Sequence, residues 1–224
     1  MNKDIAVIFD FNGTCIFDGK YHDEAWKTYV SELASREVSD EDVKEHILGK
    51  TAKEILEHFL GYELNDNMVN QFSEEKERIY RILLAKANVE LASGLEEFLN
   101  YLKLAQIKRA IATTANLENM NYYFDRYNLE QWFEWERVVI GAGNIPLKPH
   151  PDLYLAAMNK LEMPPEKIVA FEDSETGVKA AEAAGIRHII VITGDSKRDD
   201  LMSHKGVIAC VEDFTHLGEI DLDL

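Results

Sequence analysis

Cysteine is nearly absent: Cys15 and Cys210 are the two in 224 residues. Two thiols make neither a metal motif nor a disulfide framework, and Cys15 reads as a small buried thiol. Long apolar runs are missing as well. None approaches the roughly 20 residues needed to span a bilayer. The opening MNKDIAVIFDFNGT has an apolar part too short for a signal peptide, so a cytoplasmic protein is expected. Positive charge is scarce: 24 Lys and Arg against 41 Asp and Glu give a formal net charge of -17. That balance argues against nucleic acid and membranes as partners. It also means that a site for an anionic substrate must build its own positive charge, from a metal ion, lysines or helix N-termini. Internal repeats and low-complexity linkers are lacking too.

What is present is apolar material, 46% of the chain, enough for a substantial core. Much of it lies in short, continuous runs rich in Val and Ile: IAVIFDF (5–11), RAIATTA (109–115), RVVIGAG (137–143), KIVAFED (167–173) and RHIIVIT (187–193), with GVIACVEDF (206–214) as a candidate sixth. Strands buried on both faces have this character. Between them, LEEFLNYLKLAQ (95–106), PDLYLAAMNKLEM (151–163) and TGVKAAEAAG (176–185) carry helical spacing, with Gly185 placed as a helix stop. Alternating strands and helices imply an α/β fold, a Rossmann-like, doubly wound parallel sheet with right-handed crossovers.

One stretch breaks the alternation. Residues 17–87 hold no convincing buried strand, only amphipathic helical pattern. Within it TAKE, 51–54, has capping-box form, with Thr51 as N-cap and Glu54 three residues on. The expected organisation is therefore a core from 1–16 and 88–224 with an inserted all-helical cap domain from 17–87, hinged at Asp18-Gly19 and between Ala85 and Ser93.

In open α/β sheets, ligands bind at the C-terminal ends of the strands. The first run ends at Asp10, the second at Thr113-Thr114, another at Glu172-Asp173, and Lys148 stands in the turn-like LKPHPD. An acid, a hydroxyl, a lysine and an acidic pair on one rim suggest phosphoryl transfer through a metal. A carboxylate can attack phosphorus. Carboxylate and carbonyl oxygens suit Mg²⁺, a lysine neutralises phosphate charge, and a threonine hydroxyl can bond a phosphate oxygen. Gly13 and Thr14 follow the strand in a tight turn whose N–H groups suit an anion.

DFNGT (10–14), the TTAN of 113–116, LKPHPDLY (147–154) and AFEDSETGVKAAEAAG (170–185) resemble, in order, the four motifs of the haloacid dehalogenase superfamily. YHDEAW (21–26) and LGKTAKEIL (48–56) resemble cap segments of its β-phosphoglucomutase-like branch. The resemblance covers nearly the whole chain. It implies Asp10 as nucleophile and Mg²⁺ ligand, the Asn12 main-chain carbonyl on the metal, and Asp173 and Glu172 as further metal residues, Glu172 directly or through water. It implies Thr114 on the phosphoryl group with neighbouring Ala115 and Asn116, Lys148 as its neutralising cation, and Gly13 and Thr14 near the phosphate. His22, Lys50 and Lys76 are the cap candidates for touching a small phosphorylated substrate. The oligomeric state is left open, with a monomer as the expectation.

Each residue has a plainer reading. Asp10 alone would be a strand-end cap, and Lys148 alone a solvated lysine. His22 and Trp26, four apart, suit mutual packing. Lys50 suits an exposed helix–helix turn, Lys76 in EEKER a solvated helix face, and His150 a structural role.

Asn12 is the departure. Most members of the superfamily carry there a second aspartate that protonates the leaving group and then activates water. An asparagine keeps the main-chain carbonyl but carries no proton, and loss of a general acid–base costs roughly 10²–10⁴-fold. The reading taken forward is a Mg²⁺-dependent phosphatase of small metabolites such as sugar phosphates, with an undemanding leaving group or another proton carrier such as His22. Three alternatives stand beside it. One is a β-phosphoglucomutase-like mutase, weakened by Asn12. Another is a phosphonoacetaldehyde-hydrolase-like enzyme using Lys50 or Lys53 as an amine. The last is a protein that binds a phosphorylated ligand without turnover.

Overall fold

The computed structural model describes residues 5–141, 145–194 and 199–219. Six strands form one sheet: β1 (Ala6–Phe9), β2 (Lys108–Thr113), β3 (Val138–Ile140), β4 (Ile168–Glu172), β5 (His188–Ile192) and β6 (Val207–Val211). Their order is β3-β2-β1-β4-β5-β6, and every neighbouring pair is parallel. Among the described residues, eight α-helices accompany them: α1 (Gly19–Ala34), α2 (Asp40–His46), α3 (Ala52–Leu60), α4 (Asp66–Ala87), α5 (Leu95–Leu104), α6 (Leu117–Tyr127), α7 (Asp152–Leu161) and α8 (Glu175–Ala183). None is long and apolar enough to cross a membrane.

The chain divides into two compact units, one of residues 1–17 with 90–224 and one of residues 18–89. In the first, the central strands are buried throughout, AVIF in β1 and IVAFE in β4. Alternation sends their side chains to opposite faces. Phe9 stacks on Phe171 at 5.1 Å on one face, with Phe98 of α5 and Phe214 against them. Ile8 and Ala170 join a cluster on the other with Leu153, Tyr154 and Ala157 of α7 and Val178 and Ala181 of α8. Each large aliphatic or aromatic side chain so buried is worth about 1.5–3 kcal/mol.

The second unit is helical, α1 to α4, with its own core. Val30, Val38, Ile47, Ile55 and Phe59 form one cluster, and Tyr29, Leu56 and Leu64 another. Helix α3 starts at the expected capping box: the Thr51 side chain accepts from the Glu54 N–H, and the Glu54 carboxylate accepts from the Thr51 N–H at 2.8 Å. Gly185 has φ +93° just past the end of α8, as the sequence predicts for a stop.

Strand boundaries are shorter than the apolar runs. IAVIFDF suggests a strand to residue 11, but β1 stops at Phe9 because the Asp10 N–H is the last to reach across, donating to the Phe171 carbonyl at 2.9 Å. The chain then turns at Gly13, φ +79°, and the Gly13 N–H donates to the Ile16 carbonyl. Phe11 leaves the strand and stacks on Tyr123 of α6 at 4.7 Å. In RVVIGAG only Val138–Ile140 is strand, and residues 142–143 lie outside the described residues.

Candidate active site

β1 and β4 are neighbours at the middle of the sheet, with Phe9 level with Phe171. Their next residues, Asp10 and Glu172, therefore come together at the C-terminal edge, and Asp173 follows. One carboxylate oxygen from each of Asp10, Glu172 and Asp173 lies within 4.8 Å of the others. Lys148, from the connection between β3 and α7, reaches in between. Its Nζ donates to Asp10 Oδ1 at 2.5 Å and to Glu172 Oε1 at 2.6 Å.

The Lys148 side chain is 5% exposed and that of Glu172 0%. Burial pulls the Lys148 ammonium down, but the carboxylates of Asp10 and Glu172 outweigh it and hold the group above the usual lysine range. Glu172 is engaged throughout: Oε1 also accepts from the Tyr154 hydroxyl at 2.7 Å, and Oε2 from the Asp173 N–H and the Ser174 hydroxyl. Burial, then the Glu172 charge, pushes the Tyr154 hydroxyl well up, so it stays a donor. Tyr154 and Glu172 together hold Lys148 in place, its Nζ 5.2 Å over the Tyr154 ring.

Two glycines make this packing possible. A Cβ on Gly13 would stand 2.2 Å from Asp173 Oδ2, and one on Gly177 would stand 1.9 Å from Glu172 Oε2. The turn after β1 and the first turn of α8 thus press backbone directly against the acidic pair. The Thr14 hydroxyl is buried and has no hydrogen-bond partner among the described residues. Cys15 is buried, with Sγ 3.2 Å from the Asp10 carbonyl; burial first, then the Asp10 charge, pushes its thiol well up. That matches the inert thiol expected from the sequence.

The second motif lies at the end of β2. Thr113 is buried and its hydroxyl accepts from the Ala115 N–H. Thr114 is exposed, with no side-chain hydrogen bond among the described residues. The Asn116 side chain caps α6, accepting from the Asn119 N–H at 2.8 Å. Gly141 lies against Thr114, a Cβ there falling 3.1 Å from the Thr114 backbone.

Asn12 is held on its side chain. Its Nδ2 donates to the Tyr123 hydroxyl at 2.7 Å. Nothing in the residue pattern points to that contact, since Tyr123 is one of several aromatics on α6. Tyr154 lay within LKPHPDLY but carried no assigned role.

In the helical unit, His22 and Lys76 meet. Lys76 Nζ lies 3.0 Å from His22 Nδ1, 2.5 Å from Glu77 Oε1 and 5.2 Å over the Trp26 ring. Lys76 is 3% exposed, which overturns the solvated helix face read from EEKER. The His22 ring stacks on Tyr80 at 3.9 Å rather than on Trp26, and its Nε2 is 3.3 Å from Asp18 Oδ2. An ammonium donating to Nδ1 leaves the imidazole proton on Nε2, directed at Asp18. Lys50 is exposed in the turn before α3.

The chain resembles known proteins in sequence and in fold. The sequence profile of the haloacid dehalogenase-like hydrolases matches residues 7–191. The chain belongs to that family. A phosphorylated carbohydrates phosphatase of Thermotoga maritima is 32% identical over 211 residues, 92% of this chain and 94% of that one. The β-phosphoglucomutase of Bacillus subtilis is 28% identical over 187 residues, 81% and 80% of the two chains. The crystal structure of a haloacid dehalogenase hydrolase from Entamoeba histolytica superposes with a TM-score of 0.88 at 32% identity, over 98% of this chain and 96% of that one. Within the haloacid dehalogenase-like hydrolases the chain falls in the β-phosphoglucomutase-like branch.

Proposed function

We propose that the protein is a Mg²⁺-dependent phosphatase of small phosphorylated metabolites, with sugar phosphates as the substrate class. The observation that carries this reading is Lys148 donating to both Asp10 and Glu172 beside Asp173. Three carboxylates and one ammonium leave two negative charges to balance, and all donors are hard oxygens, which suits a divalent Mg²⁺. Asp10, Asp173 and the Asn12 main-chain carbonyl would hold it, with Glu172 behind them. The ion would supply charge stabilisation to the transferring phosphoryl group.

In this reading a carboxylate oxygen of Asp10 attacks phosphorus, the bond to the ester oxygen breaks, and an aspartyl phosphate forms. Lys148 offsets the charge that gathers between nucleophile and phosphoryl group. Thr114 donates its hydroxyl to a phosphoryl oxygen, beside Ala115 and Asn116, and Gly13 and Thr14 line the turn. Water then hydrolyses the acyl phosphate. Residue 12 transfers no proton, so leaving groups of low basicity are favoured. The helical unit would serve as a cap, with His22 and Lys50 as its candidates for touching substrate and the buried Lys76 positioning His22. The Thermotoga maritima relative is named for phosphorylated carbohydrates, which supports the substrate class. A mutase is disfavoured, because moving a phosphoryl group between sugar hydroxyls needs an acid–base that Asn12 lacks.

The bond from Asn12 to Tyr123 favours one second reading, a site that holds a phosphorylated ligand without turnover. One experiment separates the two: phosphate release from an activated aryl phosphate and a sugar phosphate panel, with and without Mg²⁺, for the native chain, Asp10→Asn and Asn12→Asp. Mg²⁺-dependent release by the native chain, lost in Asp10→Asn, supports the phosphatase. Silence of the native chain with release by Asn12→Asp would favour the holding role. Silence in all three would sink the phosphatase and direct attention to phosphonoacetaldehyde, with a borohydride trap for Lys50 or Lys53.

A further inference from the structure

The opposite end of the sheet carries a second concentration of charge. Where α5 ends and β2 begins there is a cavity of about 290 Å³, lined among others by Lys103, Lys108, Arg109, Trp132, Glu134 and Arg137. Four of these side chains are basic and one is acidic. The whole chain has 24 basic and 41 acidic residues, so the sign of the charge is reversed here. β2 runs from this cavity to Thr113, six residues or about 20 Å. The two sites therefore share a strand but no residue.

The cations are poorly neutralised. Arg109 is anchored by carbonyls: Nε donates to Trp132 O at 2.5 Å and Nη1 to Ile107 O at 3.1 Å. It has no carboxylate in contact among the described residues. Burial lowers its affinity for the proton, which the Glu134 charge only partly opposes. Lys108, the preceding strand residue, points to the opposite face, where its Nζ donates to Leu161 O at 2.7 Å. Lys103 makes no ion pair among the described residues. Only Arg137 has an acidic partner, Glu134 at 3.3 Å. Carbonyl oxygens orient these groups without cancelling their charge. An anion entering the cavity would add charge-assisted hydrogen bonds to groups already held in place.

The geometry points to a binding site for a compact, multiply charged anion, a polyphosphate or a polycarboxylate, framed by Lys103, Arg109 and Arg137. The volume sets the scale. It is near the lower end of the roughly 300–1,000 Å³ of small-molecule pockets, so the ligand is a small metabolite. A nucleic acid is disfavoured by the net charge of -17 around the cavity.

The test is isothermal titration calorimetry of the full chain, freed of divalent ions on a chelating resin, with tripolyphosphate and, separately, with citrate, at about 0.1 M salt, where exposed charges more than roughly 10 Å apart are screened. Without a divalent ion the acidic rim at Asp10, Glu172 and Asp173 repels both probes, so the heat reports on the basic cavity. Saturable binding of either or both is expected, and the pattern assigns the ligand to phosphates, carboxylates or polyanions at large. Lys103→Gln with Arg137→Gln should weaken it at least about tenfold, or 1.4 kcal/mol. Lys103→Arg with Arg137→Lys, which keeps both charges, should preserve it, and this pair guards against a folding artefact. Phosphate release should be unaffected by both pairs. No saturable heat with either probe, or undiminished affinity in the Gln pair, would overturn the assignment.

Discussion

Asn12 Nδ2 donates to the Tyr123 hydroxyl at 2.7 Å. A fully buried tyrosine therefore fixes the side chain at the position where the motif resemblance implies an aspartate. An aspartate at 12 would have the same length and would accept a hydrogen bond from the same hydroxyl. Asn12→Asp is therefore expected to fold as the native chain does and to raise phosphate release by roughly 10²–10⁴-fold. Steady-state rates across pH check this, because a carboxylate there adds an ionisation to the profile. Tyr123→Phe should cost about 1 kcal/mol of stability and give no gain in rate. An Asn12→Asp chain no faster than the native one would show that residue 12 is not the missing proton carrier.

Lys148 stands between two buried carboxylates. Lys148→Met leaves Asp10 and Glu172 facing each other without a cation. Removing one partner from a buried ionic cluster costs about 3–5 kcal/mol. Urea unfolding should show that loss, and Mg²⁺-dependent phosphate release should fall below detection. A variant as stable as the native chain would mean that the ammonium is not what balances the carboxylates.

Gly177 reverses an ordinary rule. In a helix, Gly→Ala usually stabilises by roughly 0.5–1 kcal/mol. Here the new Cβ would fall 1.9 Å from Glu172 Oε2, an oxygen on a side chain tied down by Lys148 and Tyr154. Gly177→Ala is expected to destabilise by about 1–3 kcal/mol, as overpacked sites do, and to reduce activity by displacing Lys148. Thermal unfolding with a rate measurement checks both, and a stabilised Gly177→Ala chain would contradict the packing.

Glu182 of α8 ties the loop before β6: Oε2 lies 3.0 Å from His204 Nδ1, and Oε1 accepts from the Gly206 N–H at 2.8 Å. Burial raises its pKa, but the His204 and Gly206 hydrogen bonds outweigh that and hold it below the usual range. A lowered folded value gives stability that is present above the ordinary glutamate pKa, about 4.3. That stability is lost as pH falls through the folded value. Glu182→Gln should therefore be less stable than the native chain at pH 7, by about 1 kcal/mol. The gap should close in acid, as pH falls below the lowered folded value. Unfolding measured at both pH values tests it; a gap independent of pH would mean that the carboxylate charge contributes nothing.

Six strands were legible as apolar runs because a parallel sheet buries both faces, so its strands need no alternation to stand out. The acidic rim was legible because topology alone brings the ends of β1, β2 and β4 to one edge. Lys76 was misread for a physical reason. A charged stretch such as EEKER looks the same whether it faces water or a partner, and its partner His22 lies 54 residues away. Tyr123 and Tyr154 were missed similarly, since a buried tyrosine supporting a site has the composition of any core aromatic. Glu172 read as a metal residue; its contacts with Lys148 and Tyr154 are side-chain geometry that no spacing encodes.

The pairing of β1 with β4 also has a temporal consequence. Asp10 is made early in synthesis, whereas Glu172 and Asp173 follow only after β2 and β3. Contacts so distant along the chain form late and slowly. A nascent or truncated chain ending before residue 168 therefore carries Asp10 and Lys148 without the acidic pair that completes the cluster. It lacks two of the three carboxylates proposed to hold a metal ion. Ligand capture becomes a signature of completed folding, and a ligand that binds only the closed arrangement draws the whole α/β unit toward it.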